Sequence, residues 1–66
     1  LGYDYAQNII VVRTMPGLAS AAASAIDALN WSSVVGTLAG DDTLFIVMRE
    51  NNAAAALCGE IKNLLV

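Results

Sequence analysis

The segment Val34-Val35-Gly36-Thr37-Leu38-Ala39-Gly40-Asp41-Asp42-Thr43-Leu44-Phe45-Ile46-Val47-Met48 holds two apolar runs separated by a short polar reversal rich in Gly and Asp. Gly accepts positive φ and Asp hydrogen-bonds back to its own backbone, so the pattern predicts two antiparallel strands, Val34 to Ala39 and Thr43 to Met48, joined by a tight turn. The tip carries two adjacent carboxylates with no Lys or Arg close in sequence. A purely structural turn accounts for them, and so does a cation site.

Outward from this hairpin, the run Ile9-Ile10-Val11-Val12 is wholly β-branched and predicts a strand ending near Thr14. The weakly alternating Leu1 to Tyr5 predicts a strand before it, with a reversal through Asn8. Thr14-Met15-Pro16-Gly17 reads as the opening of a helix, with Thr14 as cap and Pro16 in the first turn. The Ala-rich body from Leu18 to Leu29 continues that helix, and Asn30 ends it. Leu18, Ala22, Ala25, Ile26 and Leu29 fall on one face, and Ser20, Ser24 and Asp27 on another. A last helix spans Asn52 to Leu65, with Asn51 and Asn52 as candidate caps and Leu57, Ile61 and Leu64 as its apolar face. The order β-β-α-β-β-α predicts an α+β, two-layer sandwich: two helices on one face of a four-stranded antiparallel sheet, in one domain over residues 1–66.

Composition narrows the function. Three basic residues stand against six acidic ones, a net charge of -3, so the segment by itself has no means of neutralising a run of phosphates or an anionic membrane surface. One cysteine and no histidine remove the intrachain disulfide, the Cys/His metal site and the His-dependent catalytic triads. No stretch approaches the roughly 20 apolar residues of a membrane span, and a reducing, cytoplasmic setting fits. The hydrophobic fraction of 58% is high, and the strands are apolar at nearly every position although helices cover one face alone. The uncovered face therefore calls for other copies of the chain.

Asp27, Asp41 and Asp42 are the acidic candidates for a site. A hard divalent metal is one occupant of such carboxylates, which would suit a small enzyme subunit. A guanidinium is another, because its paired donors match carboxylates in bidentate fashion. A purely structural oligomeriser needs neither.

Arg13-Thr14-Met15-Pro16-Gly17, the helix carrying Asp27, and Gly36-Thr37-Leu38-Ala39-Gly40-Asp41-Asp42-Thr43 resemble the C-terminal domain of bacterial arginine repressors. The resemblance runs over essentially the whole chain. It implies a non-enzymatic domain that forms trimers, two of which stack into a hexamer with L-arginine, the corepressor, bound between them. Operator DNA would be bound only through a separate N-terminal winged helix-turn-helix domain, missing from this fragment. Carried onto these positions, Asp41 and Asp42 take the guanidinium, Asp27 the α-amino group, and Thr37 and the backbone of Ala39 the amino-acid end. Ser20 stands where many members carry a ligand-contacting Gln, a shorter side chain whose reach calls for a water.

Overall fold

The computed structural model describes residues 2–64, and their side chains through residue 61. Six elements follow in the expected order: β1 (Gly2–Ala6), β2 (Ile9–Arg13), α1 (Ala19–Ala28), β3 (Val34–Ala39), β4 (Thr43–Met48) and α2 (Asn51–Leu64). The strands form one antiparallel sheet in the order β1-β2-β4-β3, so the two most apolar strands lie side by side in its middle. The bounds of β3 and β4 are those the sequence predicts. β1 lies one residue later than expected at its C-terminal end, and Leu1 is outside the described residues.

Strand parity decides the layers, because successive side chains point to opposite faces. Ile10 pairs with Ile46 and Val12 with Leu44, and all four face the helices together with Met48. Ile10, Leu44, Ile46 and Met48 are the largest fully buried side chains. α1 packs against β3 and β4, α2 mainly against β1 and less against β2 and β4. From α2 come Ala54, Leu57, Cys58 and Ile61 to close the core. The predicted contribution of Leu64 lies outside the described side chains, as does the predicted helix end at Leu65.

Three local expectations are corrected. First, Thr14 and Pro16 are not part of α1: the helix begins at Ala19, its N-cap position is Leu18, and no side chain caps it. Thr14 Oγ1 instead donates to the Met15 carbonyl at 2.9 Å, and Gly17 takes φ 83, a left-handed value that turns the chain before the helix. Second, the buried stripe of α1 is Ala19 and Ala23, with Ala22 and Ile26 partly buried against the core. These four recur at helical spacing, and the three alanines among them let the helix lie close to the sheet. Leu18 and Leu29, at its two ends, remain 51% exposed, and Ala25 is exposed too, although it lines an apolar recess beside Ala22 and Ile26. Third, α2 starts at Asn51, so Asn51 and Asn52 fall within its first turn instead of capping it. The predicted stop at Asn30 holds: it takes φ 51 directly after the C-cap Leu29.

The opposite face of the sheet carries no helix. Ile9, Val35, Leu38 and Phe45 are exposed on it, and Val11 and Val47 between them are half-buried. The uncovered apolar face expected from the sequence is therefore present.

Candidate functional site

Two groups of polar residues bracket α1. At its C-terminal end, Asp27 in the last turn meets β3: Thr37 Oγ1 donates to Asp27 Oδ1 at 3.0 Å, with Oδ2 at 3.1 Å. Thr37 faces the helix layer because it pairs with Ile46, so strand parity brings the hydroxyl to the carboxylate. Asp27 stays exposed, and a carboxylate has about four acceptor positions, so further donors can be accommodated.

At the other end stands the acidic tip between β3 and β4. Gly40 N–H donates to the Thr43 carbonyl at 2.8 Å and closes the reversal. The tip is also the cap of α1. The Asp41 carbonyl accepts from Gly17 N–H at 2.9 Å and Ala19 N–H at 3.4 Å, and the Asp42 carbonyl accepts from Thr14 N–H at 2.7 Å. The free N–H groups at a helix start need such acceptors, and here main chain from a distant hairpin supplies them. Both aspartates are exposed; Asp42 Oδ1 accepts from Thr43 Oγ1 at 2.9 Å. Ala39 is half-buried beside the tip and lines a recess of about 250 Å³ with Leu38, Gly40, Thr43 and Phe45.

The predicted site residues are thus sorted into two sets, not one cluster. Asp27 with Thr37 forms one, and Asp41, Asp42 and Ala39 the other. The tip is anchored at Ala19 and Asp27 lies eight residues further along the helix, a separation of about 12 Å at 1.5 Å per residue. Ser20 is exposed on the first turn of α1, next in sequence to the tip's anchor at Ala19. Among the described residues no three acidic, His or Cys side chains come close enough to hold a metal ion, so a shared metal at Asp27, Asp41 and Asp42 is not formed within one chain.

The chain matches the model of the arginine repressor C-terminal domain over residues 1–63. It belongs to the arginine repressor family. An arginine repressor of Thermoanaerobacter sp. (strain X514) is 53% identical over 62 residues, which is 94% of this chain and 41% of the relative. Those of Caldicellulosiruptor saccharolyticus and Syntrophomonas wolfei are 49% and 42% identical, over 96% and 100% of this chain and 41% and 43% of theirs. The chain therefore spans about two fifths of the length of these relatives, which are named as repressors and not as enzymes. The match agrees with the resemblance carried by the Thr14 to Gly17 segment, Asp27 and the Gly36 to Thr43 hairpin.

Sequence reasoning missed the helix cap at Asp41 and Asp42, because main-chain acceptors carry no side-chain signature. It also passed over Arg49. This residue is exposed, yet its main-chain N–H donates to Ser33 O and its Nε–H to Ser32 O, each at 2.9 Å. Cys58 is buried in α2, and burial and then the Asp4 carboxylate push its thiol up from the ordinary range.

Proposed function

We propose that this domain senses L-arginine and controls assembly of an arginine-dependent transcriptional repressor of arginine metabolism genes. Arginine binds between trimers and stabilises the hexamer. The observation that carries the reading is the division of the acidic groups into two exposed sets about 12 Å apart on a fold with an open apolar face. Asp27 with Thr37 offers acceptors to an α-ammonium, and Asp41 with Asp42 offers acceptors to a guanidinium. A ligand with a cation at each end fits such a pair of stations, and completing each station from a neighbouring copy makes binding depend on assembly. Names of the relatives point to the same corepressor and to the same role.

By linkage, a ligand that binds the hexamer better than free trimers shifts the population toward the hexamer. In the longer protein the operator DNA would be held by an N-terminal domain beyond this one, in the cytoplasm, and arginine would act on the arrangement of those arms. The acidity of this domain agrees with a cationic effector and with DNA contacts lying elsewhere.

Sedimentation with and without L-arginine tests the proposal. Trimer without ligand and hexamer with it is the expected result, with citrulline inactive because it lacks the guanidinium charge. A monomer in both conditions, or an assembly indifferent to arginine, refutes it.

A further inference from the structure

Beside Asp27 opens a cavity of about 270 Å³ whose walls include the polar Asp27, Asn30, Ser32 and Arg49 and the apolar Ile26 and Trp31. It holds one carboxylate and one guanidinium, and no ion pair joins the two. Arg49 is held from behind. Its Nε–H is spent on the Ser32 carbonyl and its main-chain N–H on that of Ser33, while the terminal nitrogens of the fork retain their donors. An arginine fixed through Nε has lost part of its rotamer freedom before any ligand arrives, and its remaining paired N–H groups match a carboxylate.

We infer that Arg49 receives the α-carboxylate of the amino-acid ligand whose α-ammonium Asp27 receives. Opposite charges on the walls of one cavity, each hydrogen-bonded elsewhere and not to the other, are what a zwitterion inserted between them would pair with. Arg49 is then the residue that distinguishes an α-amino acid from a simple guanidinium amine. The inference rests on the reading that the amino-acid end of arginine lies at Asp27, and it adds a contact on a different element, just past β4.

Calorimetric titration with L-arginine and with agmatine, which is arginine without its carboxylate, separates the two claims. The unaltered chain binds L-arginine about tenfold or more tighter than agmatine, the scale of one exposed charge-assisted contact. Arg49→Ala lowers arginine affinity to that of agmatine and leaves agmatine unchanged, and Arg49→Lys recovers part of the difference. Equal weakening of both ligands marks Arg49 as a brace for the Ser32–Ser33 loop and overturns the inference, as does an unchanged preference for arginine. Should Arg49→Ala fail to fold, the Arg49 Nε–H resonance of the unaltered chain decides: it shifts with L-arginine and not with agmatine if the inference holds, and equally or not at all if it fails. Absence of heat with either ligand refutes the Asp27 site itself, an outcome distinct from loss of carboxylate discrimination alone.

Discussion

The two faces of the central strands are made of the same kinds of residue and have opposite fates. On the helix side, Ile10, Val12, Leu44, Ile46 and Met48 are buried within the chain. On the other, Ile9 is 37% exposed, Phe45 43% and Leu38 70%. Composition therefore does not tell which face is core; parity relative to the helices does. The inner face holds this chain together, and the outer one is apolar surface available to other copies. Substitutions should therefore divide by face into those that unfold and those that dissociate.

The largest effect is expected inside. Ile46→Ala, at a fully buried position, should cost about 2–5 kcal/mol in urea unfolding, a large share of what a domain of this size possesses. Loss of association with the fold intact would break the contrast. Phe45→Glu on the outer face should do the reverse: sedimentation should show dissociation at micromolar concentration, while circular dichroism keeps the same helix and strand content. A charge on an apolar contact is costly only where that contact is buried by a partner, so an unchanged assembly would mean that this face is not the interface.

Asp41→Asn extends the contrast to the polar site. Its side chain is exposed and its structural work is done by the main-chain carbonyl, so unfolding should be nearly unchanged while arginine affinity drops about tenfold or more. Gly17→Ala should act on stability alone. No neighbouring atom stands within 4 Å of an added Cβ, yet φ is 83, so a cost of about 1 kcal/mol comes from backbone conformation only. Thermal melting checks it.

The smallest effect is in the pH profile. Cys58 has its thiol pKa raised in the folded chain, by burial and then by Asp4. The neutral thiol is thus favoured by folding, and the stability it contributes is complete below the thiol's unfolded pKa and lost as pH rises through the folded one. Unfolding midpoints should fall on the alkaline side of about pH 8.5, the ordinary thiol value. Cys58→Ala should flatten that limb in urea unfolding followed across alkaline pH. A steeper limb in the variant would reverse the assignment.

How far the sequence could be read follows the range of each interaction. β3 and β4 are legible to the residue because the Gly and Asp of the turn and the apolar runs on either side act locally, and so is the Asn30 stop. The start of α1 is not. Thr14 and Pro16 carry a local helix-opening signal, but the acceptors actually used belong to Asp41 and Asp42, more than twenty residues away in sequence. The phase of α1 is lost for a related reason: in a stretch of alanines, two leucines at the ends dominate a periodicity count while the sheet selects the smaller residues for close approach. Asp27, Thr37 and the two tip aspartates are all legible as candidates. Their separation along the helix is a fact of tertiary structure, as is the anchoring of Arg49.

The doubled role of the acidic tip has a consequence for how the domain can change. Asp41 and Asp42 serve the architecture through main-chain atoms common to every residue, whereas their exposed carboxylates, the atoms peculiar to aspartate, are the ones the proposed ligand reading calls on. Any residue able to hold that turn would still close the start of α1. Ligand preference can therefore drift across descendants of this chain while the scaffold beneath it stays as it is.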